Sequence, residues 1–189
     1  MKISQLRFYG GARQRTCRLG LADIFLEVQE ILLSAQVAVK EETQANGAAV
    51  IRELLDAEFK KRADWKGNKT GDIDWIKRFR YNSTLIARLG VEVQISARSD
   101  LLIRDIIHLR NKLQAGDIDV GVIVVPDDRL QRFLTDRTPS FSEAVKYMEV
   151  EFPEAKTYDI VLIAVEHDAT SDTPLPKKRT NRGRKPTEE

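Results

Sequence analysis

The sequence predicts an α/β fold with a central sheet flanked by helices, on three observations. Residues 118–125 and 158–165 are apolar and rich in β-branched side chains, as strands buried on both faces are. Several stretches before, between and after them repeat apolar residues at helical spacing. A third pattern, Val91-Glu92-Val93-Gln94-Ile95, alternates apolar and polar residues, the period of a strand with two unlike faces.

Taken in order, residues 22–35 place Ile24, Val28, Ile31 and Leu32 on one helical stripe, widened by Leu21 and Phe25. Residues 44–63 form a second amphipathic helix, with Val50, Leu54, Leu55 and Phe59 on one side and Arg52, Glu53, Lys60 and Lys61 among its polar positions. Turn chemistry at Trp65-Lys66-Gly67-Asn68 ends it. Strands are expected at 72–78 and 90–97, then a helix at 99–114 opened by Ser99 as N-cap and closed by Gly116. The strand at 118–125 stops at Pro126, and a helix at 141–150 leads to the last strand. From Asp168 onward apolar periodicity is lost. The expected organisation is one domain, residues 1–168, with a helical N-terminal part (1–65) and a core (66–168), followed by a basic, disordered tail at 169–189.

At 189 residues and 42% hydrophobic content, the chain suits one well-buried domain and hardly two. Its single cysteine, Cys17, excludes an intramolecular disulfide and cysteine-held zinc, and fits a reducing cytoplasm. No apolar run approaches the roughly 20 residues needed to span a bilayer, so a soluble, cytoplasmic protein is expected. Net charge is +2, but residues 170–189 hold six basic groups against three acids, leaving the remaining body at −1. Whole-chain charge therefore does not announce a nucleic-acid partner; a surface for one must arise by clustering or dimerisation.

The alternation at 91–96 puts Glu92 and Gln94 on one face of a strand and Val91, Val93 and Ile95 on the other, giving a wet, polar edge to a buried strand. If a second strand from Asp72-Ile73-Asp74-Trp75-Ile76-Lys77 brings Asp74 alongside, two carboxylates and an amide converge where Mg2+, which prefers hard oxygen ligands, can sit. That is the layout of a metal-dependent nuclease site. The duller explanation is the ordinary alternation of any half-exposed strand.

Three blocks carry a resemblance. They are Gly90-Val-Glu-Val-Gln-Ile-Ser-Ala-Arg-Ser-Asp100, Arg104-Asp-Ile-Ile-His-Leu-Arg110 and Gly116-Asp-Ile-Asp-Val-Gly-Val-Ile-Val-Val-Pro126. Together they resemble the BglII/BstYI-type restriction endonucleases, over roughly residues 44–168 and most strongly over 72–126. The resemblance implies a mixed central sheet flanked by helices, the restriction-endonuclease-like PD-(D/E)xK core. It also implies Mg2+ held by Asp74 and Glu92, catalysis by Asp74, Glu92 and Gln94, a homodimer acting on double-stranded DNA at a GATC-centred palindrome with 5′ overhangs, and a companion methyltransferase. The segment between Asp74 and Glu92 is longer than in those enzymes, so Asp72 remains a rival to Asp74.

Most nucleases of this layout carry Lys where Gln94 stands. An amide has no titratable proton near neutrality and is no general base, but it can orient water or a phosphate oxygen. Activation then falls chiefly on the metal. Glu53, or alternatively Glu58, is an accessory carboxylate candidate; an exposed helical glutamate is the commoner outcome. Asp105 and His108 are three apart and so neighbours on a helix face, which invites a hydrogen bond as readily as a catalytic pair; the structural reading is favoured. Arg98 and Arg104 flank the central strand, Arg78 and Arg80 follow the acidic segment, and arginine suits phosphate contact. In the tail, Lys177, Lys178, Arg179, Arg182 and Arg184 are expected to add nonspecific phosphate affinity, and Arg182-Gly183-Arg184-Lys185-Pro186 is a loose AT-hook match. The rival readings are a noncatalytic DNA-binding protein and a structure-specific repair nuclease.

Overall fold

The computed structural model describes residues 1–67, 73–95, 100–135 and 137–177. In chain order the elements are β1 (Lys2–Phe8), α1 (Ala12–Arg18), α2 (Ala22–Ser34), β2 (Ala38–Val39), α3 (Ala48–Lys61), β3 (Lys66–Gly67), β4 (Trp75–Tyr81), β5 (Thr84–Val93), α4 (Asp100–Ala115), β6 (Val120–Pro126), α5 (Asp128–Phe133), α6 (Phe141–Lys146), β7 (Ile160–Glu166) and β8 (Ala169–Thr170). A π turn at Tyr147–Glu151 and a 3-10 turn at Pro153–Thr157 join α6 to β7. The main sheet runs β1-β7-β6-β5-β4-β3, and β2 and β8 form a small second pair. Strands β5, β6 and β7 are parallel, while β1 and the β3-β4-β5 arm are antiparallel, so the α/β fold with a mixed, helix-flanked sheet is the one observed.

Alternation on the strands divides the core into two layers. Val120, Val122 and Val124 of β6 join Leu89, Val91 and Val93 of β5 under α2 and α3, whereas Ile123 and Val125 face the opposite layer with Leu102, Ile106 and Leu109 of α4. All seven β6 residues are buried. Each large aliphatic side chain so buried contributes roughly 1.5–3 kcal/mol. Summed over this strand and its neighbours, that outweighs the several kcal/mol it takes to desolvate one carboxyl beside them. The sheet centre is therefore stable enough to hold a buried acid.

Helix α3 buries Ala48, Ile51, Leu55 and Phe59, an i, i+3/i+4 stripe; Val50 and Leu54, read from the sequence as core, lie at its margin and stay partly exposed. Phe59 stacks on Trp75 (centroids 5.2 Å apart) and meets Trp65 edge-on at 5.1 Å, which fixes α3 against β4. The cap of α4 at Gly116 is present, with φ +72° in the left-handed region. Its expected N-cap, Ser99, lies outside the described residues.

Three expectations are revised. The N-terminal part is not purely helical, because β1 pairs antiparallel with β7 as an edge strand whose mostly exposed side chains leave little apolar pattern. The helix expected from 44 begins at Ala48. The tail does not begin at 169. Residues 169–177 belong to the fold: Ala169 and Thr170 pair with β2, and Leu175 N and O bond Asn46 Oδ1 and Gly47 N at 3.1 and 3.0 Å. A Cβ on Gly47 would fall onto Pro176 O, so only glycine admits this strap.

Candidate active site

Strands β4 and β5 pair with Trp75 opposite Val91, which sets Asp74 beside Glu92 one step further. Val93 N donates to Asp74 Oδ2 at 2.8 Å, and Asp74 N lies 3.4 Å from Glu92 Oε2. The two acids expected to converge do so, at the C-terminal end of β5 where the parallel and antiparallel halves of the sheet meet. Val91, Val93 and Ile95 line the α3 layer, as the alternation requires.

The polar face is not wet. Glu92 and Gln94 are each only 3% exposed; α4, whose buried stripe is Leu102, Asp105, Ile106 and Leu109, reaches Glu92 through His108. His108 Nδ1 lies 3.4 Å from Glu92 Oε1, close enough for attraction but without hydrogen-bond geometry. Among the described residues Glu92 Oε1 has no hydrogen-bond partner. Burial first, then the charges of Asp74 and Asp105, push the Glu92 carboxyl up to about 10. Asp105 is also buried, and desolvation, partly offset by Arg104, raises it to about 6. Without a cation the site thus stores its Glu92 proton.

Asp74 is held from the other side. Arg52 of α3 reaches Asp74 Oδ1 from one terminal nitrogen at 2.7 Å and Val93 O from the other, while its Nε contacts both oxygens of Asp56 at 3.0 and 3.1 Å. Trp75 Nε1 donates to Asp56 Oδ1 at 3.0 Å. Burial works against the guanidinium, but Asp74 and then Asp56 outweigh it and raise its pKa above the ordinary arginine value. Arg52 and Asp56 are site residues that the sequence did not single out for chemistry, and Asp105, weighed there only as a partner of His108, acts electrostatically on Glu92.

Of the remaining candidates, Glu53 is exposed on α3 immediately after Arg52. Glu58 turns away to Lys61 and Ser34, at 2.5 and 3.2 Å. Arg104 is exposed beside Asp105, Arg78 and Arg80 are exposed on β4, and Lys177 is exposed at the end of the strap. Asp72, Arg98, Lys178, Arg179, Arg182 and Arg184 lie outside the described residues.

No three His, Cys, Asp or Glu side chains among the described residues form a ready metal-binding group. Magnesium does not need one, since it is commonly held by one or two carboxylates and completed by waters and substrate phosphates. Asp74, the buried Glu92 with its unpartnered oxygen, and the adjacent Val93 carbonyl are hard oxygen donors of that type, and they fit such a cation.

A family model described as restriction endonuclease BamHI matches residues 21–181. The type II restriction enzyme BamHI of Bacillus amyloliquefaciens is 31% identical over 120 residues, covering 58% of this chain and 55% of that enzyme, so the match spans about half the relative's length.

Proposed function

The chain belongs to the BamHI restriction endonuclease family, and from that premise we propose that it is a divalent-metal-dependent type II endonuclease that hydrolyses both strands of duplex DNA at a short palindrome. The matched family is that of BamHI, and the likeness to the BglII/BstYI type rests on the strand motifs alone. The GATC centre and the 5′ overhangs rest on that motif resemblance. The observation that carries the reading is the pairing of half-buried Asp74 with buried Glu92, whose Oε1 has no hydrogen-bond donor. Buried polar atoms are nearly always satisfied, and one left open in a cluster of acids marks a place where a cation belongs.

In this mechanism Asp74 and Glu92 hold the cation, with Mg2+ as the proposed ion. A bound divalent cation would polarise the scissile phosphate and screen the charge that develops in the transition state. Gln94 orients water or a phosphate oxygen through its amide, having no proton to take or give. Val93 N fixes the Asp74 rotamer, and α4 reaches Glu92 through His108. A palindrome has a twofold axis, so a homodimer with one site per strand is the proposed assembly. A cytoplasmic location and a companion methyltransferase complete the reading. No helix among the described residues is long and apolar enough to cross a membrane.

The test is incubation of the purified chain with unmethylated phage DNA and Mg2+, followed by sequencing of the ends. Discrete double-strand ends at one palindrome, from a protein of about twice the 21.5 kDa chain mass by light scattering, are expected. Binding without cutting in Mg2+ and Mn2+ would replace the reading with a noncatalytic DNA-binding protein. Preferential cutting of branched or damaged DNA would replace it with a repair nuclease.

A further inference from the structure

Arg52 touches two separate groups of oxygens. Its Nε is bonded to Asp56, one helical turn along α3, and Asp56 is itself anchored by Trp75 Nε1. Its two terminal nitrogens reach Asp74 Oδ1 and Val93 O, which lie side by side at the ends of the paired strands β4 and β5. The other Asp74 oxygen is already taken by Val93 N. A carboxylate oxygen and a carbonyl oxygen facing one point beside Glu92 are the donors a hard divalent cation seeks, and here a side-chain cation fills that point.

Holding α3 in place does not require this contact. Ile51, Leu55 and Phe59 are fully buried beneath the helix, and Phe59 is clasped by Trp65 and Trp75. The Asp56 contact alone would neutralise Arg52.

We propose that Arg52 is a placeholder for the divalent cation: it occupies Asp74 Oδ1 and Val93 O in the metal-free protein and withdraws onto Asp56 when the cation loads. This deepens the nuclease reading and rests on it. A guanidinium and a divalent cation sharing two oxygens repel strongly in a partly dry site, so the two occupancies exclude one another. Asp56 makes the exchange short-range, because its grip on Nε is independent of the fork that lets go. The freed fork is then available to a phosphate, whose oxygens planar guanidinium geometry matches. Arg52 is on this account a positioning residue that keeps the site weakly loaded until DNA draws it away. By linkage, DNA and cation then strengthen each other's binding.

The experiment is a Mn2+ titration of the DNA-free full-length chain, read by the paramagnetic resonance of free Mn2+, for the wild type, Arg52→Gln, Arg52→Lys and Asp74→Asn. Losing charge-assisted bonds to both oxygens makes Arg52→Gln bind Mn2+ about tenfold more tightly or better. Arg52→Lys, which keeps the charge but cannot span both groups, falls between it and the wild type. Asp74→Asn loses binding. Thermal melts identify any variant that fails to fold, and Arg52→Lys retains the test if Arg52→Gln does. Both Arg52 variants binding no more tightly than a DNA-cutting wild type would overturn the placeholder and leave the nuclease standing. Absence of Mn2+ binding in every variant, with a wild type that cuts no DNA, would overturn both.

Discussion

Asn46 and Glu92 are both buried polar side chains beside α3 and β5, and they are treated oppositely. Asn46 is 0% exposed and makes four hydrogen bonds: Oδ1 accepts from Lys40 N (3.0 Å) and Leu175 N (3.1 Å), and Nδ2 donates to Lys40 O (2.7 Å) and Phe133 O (3.0 Å). Every donor and acceptor it owns is used. Glu92 is as deeply buried, sits beside Asp74 and Asp105 and keeps Oε1 without a hydrogen bond, with His108 Nδ1 3.4 Å away. The first is a joint that ties the strap, α5 and the β2 loop together. The second is held in an unfavourable state by the surrounding fold, which is how reactive groups are stored.

Substituting Glu92 breaks the comparison most severely. Glu92→Gln should leave the fold intact, since glutamine is isosteric with the protonated acid, and should lower Mg2+-dependent DNA cleavage by orders of magnitude. Cleavage at the wild-type rate would misassign the site. The same variant tests the stored proton. The Glu92 carboxyl is raised from 4.5 to about 10 in the folded chain, so its stabilising contribution is complete below pH 4.5 and is lost as pH rises toward 10. In metal-free buffer the wild-type melting temperature should therefore fall relative to Glu92→Gln between pH 5 and pH 9. Parallel profiles would mean that Glu92 is ionised throughout.

Asn46→Ala is the complementary substitution. It leaves Lys40 N and Leu175 N without their acceptor, while Lys40 O and Phe133 O still accept from Glu42 N and Asn46 N, and should destabilise the chain by about 3 kcal/mol in urea unfolding. Specific activity of the folded fraction should be retained. A loss below about 1 kcal/mol would show that water replaces the amide and that the joint is dispensable.

The carboxylate pair was legible in the sequence because strand alternation alone assigns Glu92 and Gln94 to one face, and the acidic segment upstream is close enough to pair. Arg52 and Asp56 were not. An arginine four residues before an aspartate is indistinguishable from an exposed helical ion pair until Trp75 and Asp74 are known to lie beside it. For Asp105 the sequence does carry a signal: it falls in the i, i+3, i+4, i+7 stripe of Leu102, Ile106 and Leu109, where an acid is buried. The depth of Glu92 was hidden because its neighbour His108 is contributed by a separate helix, α4. The strap at 169–177 escaped because it binds mainly through its backbone, which leaves no periodicity to read.

The smallest effect is expected from the tail. Ending the chain after Lys177 keeps β8 and the strap while removing Lys178, Arg179, Arg182, Arg184 and Lys185. Log affinity for DNA plotted against log salt should become shallower by up to about 0.9 per lost phosphate contact, with site preference unchanged. An unchanged slope with altered site choice would make the tail a base reader and restore the AT-hook reading.

The central claim is that the undersatisfied acids, and not another cluster, receive the cation. Iron-directed cleavage of the polypeptide addresses it most directly: Fe2+ reduces dissolved oxygen to radicals that cut the backbone where the ion resides, and ascorbate returns the oxidised iron to Fe2+. The account predicts fragments from scission near Asp74 and Glu92, suppressed by excess Mg2+ and absent in Glu92→Gln. Mg2+-sensitive scission centred elsewhere, or persisting unchanged in Glu92→Gln, would contradict it.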